Sequence, residues 1–156
     1  MIKAVFPGTF DPPTKGHINL IRRGAKLFDS LDVIIAVNNQ KVPLLTPDER
    51  LHLLEESVAD FPGVNVRLWD RLIVDYAVEH EIKVILRGVR NMADFGYEFE
   101  LAMMNKQLSS SVETIFLPTD PKYFVLRSSS IKELLHFNSD ISQMVPPHVE
   151  KLLKSK

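Results

Sequence analysis

Short runs of valine, isoleucine and leucine recur along the chain, and longer stretches with apolar residues at three- and four-residue spacing lie between them. The short runs show little polar alternation, which is typical of β-strands that are covered on both faces. The longer stretches indicate amphipathic helices. The predicted strands are Ile2 to Phe6, Leu31 to Val37, Val64 to Trp69, Val84 to Leu86 and Thr114 to Leu117.

Six helices are predicted from apolar stripes and capping signals. The second opens on the capping box Thr46-Pro47-Asp48-Glu49, the third runs from about Leu72 to His80, and the fourth begins at about Asp94. The fifth begins in the serines at 128 to 130, whose hydroxyls can serve as N-caps. The residues expected to face the core are Ile18, Ile21, Ala25 and Phe28; Leu51, Leu54 and Val58; Phe95, Phe99, Ala102 and Met103; Ile131, Leu134 and Leu135; and Val149, Leu152 and Leu153.

Alternation of strands and helices predicts a parallel sheet with helices on both faces, joined by right-handed crossovers. No linker or repeat divides the chain, so we predict one α/β domain over residues 1–156, with a doubly wound, Rossmann-like, five-stranded parallel sheet. Ligands of such folds bind beyond the carboxyl ends of the strands, where the strand order reverses. The loops that follow the strands are therefore the candidate site.

Composition narrows the function. The chain has 45% hydrophobic and 25% charged residues and a formal net charge of −1, which gives no sign of nucleic-acid or membrane-surface binding. The absence of cysteine excludes disulfides, thiolate metal sites and a cysteine nucleophile. The N-terminal run reaches Pro7-Gly8 too soon for a signal peptide, and no apolar run is long enough to span a bilayer. We therefore expect a cytoplasmic protein.

The loop after the first strand, Pro7 to His17, is the first candidate for chemistry. Three prolines and Gly8 fix its path, and Gly16 lets a ligand approach the start of a helix. Free N–H groups and the partial positive charge of a helix N-terminus suit phosphate, and His17 in that first turn could donate a hydrogen bond to an oxyanion. An isolated histidine here is more often a capping or surface residue.

Two later segments add cations and hydroxyls. Arg87 lies at the carboxyl edge of the fourth strand and Arg90 follows three residues on, where each needs an anionic partner. That partner is either a ligand or a structural carboxylate such as Asp94, Glu98 or Glu100. The serines after Arg127 form either a phosphate cradle or plain N-caps. Together with the first loop, these segments favour a nucleotide held between helix N-termini, although the chain lacks both a Walker P-loop and a G-x-G-x-x-G loop.

These segments also carry a family resemblance. Thr14-Lys15-Gly16-His17 resembles the T/H-x-G-H motif of the nucleotidylyltransferase superfamily, and Arg127 to Ser130 resembles its serine-rich second motif. PGTFDPPTKGH, the stretch from Lys41 to Arg50, LRGVRNMADFGYEFELAMMN and SSSIKEL are similar, in order and spacing, to the bacterial phosphopantetheine adenylyltransferases. The R-G-x-R-x-x-x-D-F-x-Y-E block is the most specific part, and the resemblance covers nearly the whole chain.

The resemblance implies a role for each matching position. His17 is the implied catalytic residue, in contact with the α-phosphate of ATP. The implied ATP-binding residues are Thr9, Phe10, His17, Gly88, Val89, Arg90, Glu98, Tyr123, Phe124, Val125, Leu126, Arg127, Ser128 and Ser129. The implied 4′-phosphopantetheine-binding residues are Thr9, Lys41, Ile73 and Arg87, with the two cations on its phosphate. No residue is implied as a metal ligand.

The resemblance further implies Mg²⁺ carried with ATP, feedback inhibition by coenzyme A, and a homohexamer. One position departs from the family. Aligning Ile131-Lys132-Glu133 with the usual V-K-E places Arg127 where the first serine of the family motif stands. This arginine either contacts the ATP phosphates or points to solvent.

Two other functions remain open at this stage. A sister nucleotidylyltransferase acting on nicotinamide mononucleotide or a small phospho-alcohol would share His17 and the serine motif, but not the combination of Lys41 and Arg87. A non-catalytic nucleotide-binding α/β module would keep the phosphate-binding turns without needing His17 or a second anion site.

Overall fold

The computed structural model describes all 156 residues and contains five strands and six α-helices. The strands are β1 (Lys3–Gly8), β2 (Ser30–Ala36), β3 (Val64–Trp69), β4 (Val84–Val89) and β5 (Glu113–Pro118). The helices are α1 (Lys15–Leu27), α2 (Pro47–Val58), α3 (Ile73–Glu79), α4 (Met92–Leu108), α5 (Ser128–His136) and α6 (Pro147–Lys154). A 3₁₀ turn, Pro121–Tyr123, precedes α5. The predicted set of elements is confirmed.

The five strands form one parallel sheet in the order β3-β2-β1-β4-β5. The predicted doubly wound fold is thereby confirmed. The strand order reverses between β1 and β4, which are neighbours in the sheet but distant in the chain. The loops after these two strands therefore border the crevice where such folds bind ligands. β4 runs to Val89 instead of ending at Leu86, because it stays paired with β5 as far as Pro118.

Apolar clusters cover both faces of the sheet. In β1, Ala4 and Phe6 pack against α1 and α2, whereas Val5 packs on the opposite face with α3. A third cluster joins α2 to α5 and α6 through residues such as Leu53, Ile131 and Val149. The C-terminal helices are therefore anchored beside the crevice.

Gly88 in β4 permits the close packing of α1 on the sheet. A Cβ atom at this position would lie 2.4 Å from Cδ1 of Leu20. That distance is far inside van der Waals contact, so a larger residue would force at least the Leu20 side chain to move. Gly88 therefore lets Leu20, on the helix that carries His17, pack closely against β4.

The helix α4 departs from prediction in two respects. It begins at Met92, because the side chain of Asn91 accepts a hydrogen bond from the backbone N–H of Asp94 and caps the helix two residues earlier than expected. The prediction that Phe99 and Met103 face inward is wrong, because these side chains are 46% and 48% exposed. Apolar residues lie on several sides of α4, so their spacing alone could not identify its buried face.

None of the helices has the length and apolar character that a membrane crossing requires.

Candidate active site

A cavity of about 800 Å³ lies at the carboxyl ends of the strands, around the point where β1 and β4 meet. Most of the predicted site residues line it: Thr9, Phe10, His17, Lys41, Arg87, Gly88, Arg90, Glu98, Tyr123, Leu126, Arg127, Ser128 and Ser129. Four predicted residues do not line it: Ile73, Val89, Phe124 and Val125. Ile73 packs instead beside the apolar cluster under α3, and Phe124 and Val125 are exposed.

His17 occupies the first turn of α1, where a reciprocal capping box fixes it. The hydroxyl of Thr14 accepts from the backbone N–H of His17 at 3.2 Å, and Nδ1 of His17 accepts from the backbone N–H of Thr14 at 3.0 Å. Because Nδ1 is an acceptor, the proton of the neutral ring lies on Nε2. The ring is also packed edge-on against Phe10, with centroids 4.9 Å apart. The histidine therefore caps the helix and presents an N–H donor in the cavity.

Burial and the nearby positive charges of Arg90 and Arg87 lower the pKa of His17 from 6.5 to about 4. The imidazole is therefore neutral at physiological pH. A neutral ring with its proton on Nε2 can donate a hydrogen bond to a phosphate oxygen, and it carries no charge that the neighbouring arginines would repel.

We expect the free energy of unfolding to fall as the pH is lowered from about 6.5 to about 4. In this range the unfolded chain binds a proton at His17 that the folded chain does not, so stability rises with pH and is lost on acidification. The full effect is about 3 kcal/mol. Urea unfolding of the wild type and of His17→Gln, each measured at several pH values, would check this. Glutamine can preserve the capping box but does not titrate. Parallel pH profiles for the two proteins would contradict the expectation.

The cavity carries a surplus of positive charge on a chain whose net charge is −1. Six lysines and arginines line it, with three carboxylates among them. The side chain of Arg87 forms two hydrogen bonds to Glu98, at 2.6 and 2.7 Å. The side chain of Arg90 contacts Asp94 at 2.8 Å. The structural carboxylate partners left open by the sequence are thus present, while both arginines still line the cavity.

The third ion pair of the cavity joins Asp11 to Lys132. Asp11 is buried and accepts from Nζ of Lys132 at 2.8 Å and from the backbone N–H groups of Leu44 and Leu45. Burial alone would raise the pKa of Asp11, but the hydrogen bonds from Lys132 and the two backbone amides outweigh it and leave the pKa below its ordinary value. Asp11 therefore joins the loop after β1, the segment that follows Lys41, and α5.

Three lining cations have no carboxylate within 4.0 Å: Lys41, Arg50 and Arg127. Together they leave the cavity with three positive charges in excess, since six cations face three carboxylates. Uncompensated cations at a crevice between helix N-termini are suited to a polyanion such as a nucleotide triphosphate.

The start of α5 differs from the predicted serine cap. The N-cap position belongs to Arg127, whose side chain makes no capping hydrogen bond, and the hydroxyl of Ser128 donates instead to the carbonyl of Pro12 at 2.9 Å. Serine capping was therefore a wrong expectation. The first backbone N–H groups of α5 have no side-chain cap, so they are available to an anion at this edge of the cavity.

Sequence reasoning did not single out Asp11, Arg50 or Lys132, although all three line the cavity. Asp11 could have been found, because it stands in the proline-rich loop next to Phe10. Arg50 and Lys132 lie within helices without a motif that marks them, and only the tertiary structure brings them to the strand ends.

Comparison with known proteins gives the class and then the family. The cytidylyltransferase-like family model matches residues 5–134. The fold is similar to the crystal structure of a putative nicotinate-nucleotide adenylyltransferase from Vibrio parahaemolyticus, with a TM-score of 0.71 over 99% of this chain and 93% of that one. The sequence identity of that pair is 21%, so the likeness concerns the fold alone. The fold, the crevice lined by cations and the family match define a nucleotidyltransferase.

Three relatives found by sequence all bear the name of one family. A phosphopantetheine adenylyltransferase of Dictyoglomus turgidum is 46% identical over 100% of this chain and 98% of its own length. Those of Caldanaerobacter subterraneus (47% identity, 98% of this chain and 96% of the relative) and Legionella pneumophila (46%, 99% and 91%) are similar to the same degree. Within the nucleotidyltransferases, the chain belongs to the phosphopantetheine adenylyltransferase family.

Proposed function

We propose that this enzyme transfers the adenylyl group of ATP to 4′-phosphopantetheine, giving dephospho-coenzyme A and pyrophosphate, a step of coenzyme A biosynthesis. The observation that carries the proposal is the cavity at the β1–β4 crevice, which is lined both by the neutral His17 and by three cations that have no carboxylate partner. Full-length similarity to phosphopantetheine adenylyltransferases supports the choice of acceptor.

The chemistry requires no protein nucleophile. A phosphate oxygen of 4′-phosphopantetheine attacks the α-phosphorus of ATP and forms the new phosphoanhydride bond. The bond from the α-phosphorus to the oxygen that bridges it to the β-phosphorus breaks, and pyrophosphate leaves with that electron pair. The enzyme must hold two anions in line and stabilise the charge that develops on the oxygens of the α-phosphate. Nε2 of His17 is the donor for that charge.

In our proposal, each substrate is bound by a different set of the cations that line the cavity. Lys41 and Arg87 hold the phosphate of 4′-phosphopantetheine, whereas Arg90, Arg127 and the first amides of α5 contact the ATP phosphates. Arg127 is exposed, lines the cavity and makes no capping hydrogen bond, so its side chain is free to reach a bound phosphate. Nη1 of Arg90 donates to the carbonyl of Leu126 at 3.3 Å. This bond links Arg90 to the residue that precedes Arg127.

Magnesium enters, in this proposal, as part of the nucleotide substrate. No three histidine or acidic side chains come together as a metal site, and each carboxylate of the cavity is paired with a cation. The donor set therefore suits Mg²⁺ bound to ATP oxygens and water, a common arrangement for this cation. The protein residues act on the phosphates.

Pyrophosphate release tests the function directly. Purified protein with ATP and magnesium should release pyrophosphate when 4′-phosphopantetheine is added, and mass spectrometry should find dephospho-coenzyme A. Parallel reactions should contain nicotinamide mononucleotide or nicotinate mononucleotide as acceptor. Turnover of either mononucleotide without turnover of 4′-phosphopantetheine would assign the protein to a sister activity, and ATP binding without any turnover would indicate a non-catalytic module.

A homohexamer is proposed for the assembly, together with cytoplasmic location and feedback inhibition by coenzyme A. The exposed apolar side chains of α4 support self-association, because Phe99, Met103, Met104 and Leu108 are each about half exposed in the single chain. Light scattering at micromolar concentration measures the mass of the assembly. Phe99→Glu should lower that mass, whereas a monomeric wild-type protein would reject the hexamer.

A further inference from the structure

Arg50 in α2 is the most deeply buried cation of the cavity. It is 3% exposed, and its guanidinium has no carboxylate within 4.0 Å. Nη1 donates to the carbonyl of Thr9 at 2.9 Å and to the carbonyl of Ala36 at 3.1 Å. The buried Nε has no hydrogen-bond partner. Arg50 therefore connects the chain just after β1 to the end of β2.

This placement is costly in three ways. A buried charge with no carboxylate in contact is unfavourable, and burial lowers the pKa of Arg50 although the more distant charge of Asp11 opposes that shift. A buried N–H without an acceptor adds to the cost. The side chain also lies in the first turn of α2, where the helix dipole disfavours a cation. Methionine or leucine would avoid these costs but would leave the carbonyls of Thr9 and Ala36 without their donor, so the arginine is retained for its contacts with these two carbonyls.

The contacts of Arg50 lead to His17 in two steps. The carbonyl of Thr9, which Arg50 holds, belongs to the peptide that joins Thr9 to Phe10. Phe10 has a positive φ of 53°, an uncommon conformation for a large side chain. Its ring is 2% exposed and packs edge-on against the ring of His17. The orientation of the Thr9–Phe10 peptide thus determines where the Phe10 ring meets the imidazole.

We propose that Arg50 is a positioning residue, which holds the Thr9–Phe10 turn by its bond to the Thr9 carbonyl and so fixes the His17 ring at the reacting phosphate. The expected effect of Arg50 on the reaction rate rests on the proposed adenylyl transfer. Its effect on the position of the His17 ring does not depend on that proposal. Arg50 acts through backbone and ring contacts, and it does not touch the reacting atoms.

The test combines kinetics with spectroscopy. Arg50→Met should lower kcat about 10²-fold, the size of effect that small misplacements of catalytic groups produce. In a His17→Ala background the same substitution should cost only a few-fold, because the residue through which it acts is already gone. In the ligand-free protein, the imidazole ¹⁵N and ¹³C NMR signals of His17 should shift in Arg50→Met.

Arg23 provides the matched control. Its Nη1 donates to the carbonyl of Pro118 at 2.8 Å, at the end of β5, and the residue does not line the cavity. Arg23→Met should leave kcat and the His17 signals unchanged. If Arg50→Met does not fold, Arg50→Lys carries the same readouts, because lysine keeps the charge but lacks the planar pair of donors.

The possible outcomes separate the two proposals. Unshifted His17 signals, or equal losses of kcat in the wild-type and His17→Ala backgrounds, would overturn the positioning role. Shifted signals in a protein that shows no adenylyl transfer would support positioning and reject the proposed reaction.

Discussion

His17→Ala is expected to lower kcat by about 10²–10³-fold while leaving the Kd for ATP nearly unchanged. In the proposed reaction the neutral ring donates from Nε2 to the α-phosphate, and such a hydrogen bond strengthens only as charge develops on the oxygens of that phosphate. Because the pKa of His17 is about 4, its protonation state should not limit the rate between pH 6 and 8. Single-turnover quench experiments measure the chemical step, and calorimetry with a non-hydrolysable ATP analogue measures the affinity.

Two control variants accompany this measurement. His52 is largely exposed and lies outside the cavity, so His52→Ala should leave the rate unchanged. His17→Gln can keep the capping box of α1, and therefore separates loss of the imidazole from fraying of the helix. Lost ATP affinity together with an intact single-turnover rate would make His17 a binding residue only.

Arg87→Met is expected to lower the free energy of unfolding by about 3 kcal/mol. The substitution leaves the carboxylate of Glu98, whose side chain is 11% exposed, without the two hydrogen bonds from the guanidinium. We expect a value near the low end for broken buried pairs, because the Arg87 side chain itself is 27% exposed. Urea unfolding measures the loss, and the double variant Arg87→Met/Glu98→Met should recover most of it.

The exposed pair of Arg71 and Glu79 is the matched control, and Arg71→Met should cost less than about 1 kcal/mol. The double variant also separates the two roles of Arg87. If Arg87 binds the phosphate of 4′-phosphopantetheine, the KM for that substrate stays high after stability has been recovered. If KM returns with stability, Arg87 has only a structural role. An unfolding midpoint of Arg87→Met equal to that of wild type would contradict the expected stability loss.

The strand and helix pattern was predictable because the central strands β2, β1 and β4 are largely buried and most helices have a single apolar stripe. The edge strands β3 and β5 are partly exposed, but they keep enough Val, Ile and Leu to be recognised. The same pattern located the crevice, since loops after parallel strands lie at one edge of the sheet. It failed on α4, where the buried face includes Glu98 and the exposed face includes Phe99 and Met103. Glu98 is buried because Arg87, eleven residues earlier on β4, pairs with it, and residue spacing does not encode that contact.

The location of the candidate site was predictable, because the motifs stand in loops that follow parallel strands. The detailed contacts within the site were not predictable. His17, Lys41 and Arg127 line the cavity as the motifs indicated. Arg50 follows two acidic residues in the first turn of α2, where a solvent-facing arginine is the ordinary expectation. Its burial depends on how α2 docks on the ends of β1 and β2, which is a property of the whole fold.

The ion pair between Asp11 and Lys132 joins residues 121 positions apart. The hydroxyl of Ser128 reaches back to the carbonyl of Pro12, and the backbone N–H of Lys15 donates to the carbonyl of Met144. Contacts this distant in sequence cannot form until the later segment exists, and closing them carries an entropic cost. During synthesis on the ribosome, the loop after β1 therefore cannot make these contacts until nearly the whole chain has emerged. A chain released early would contain the central strands without an assembled catalytic centre, so incomplete products would be inactive.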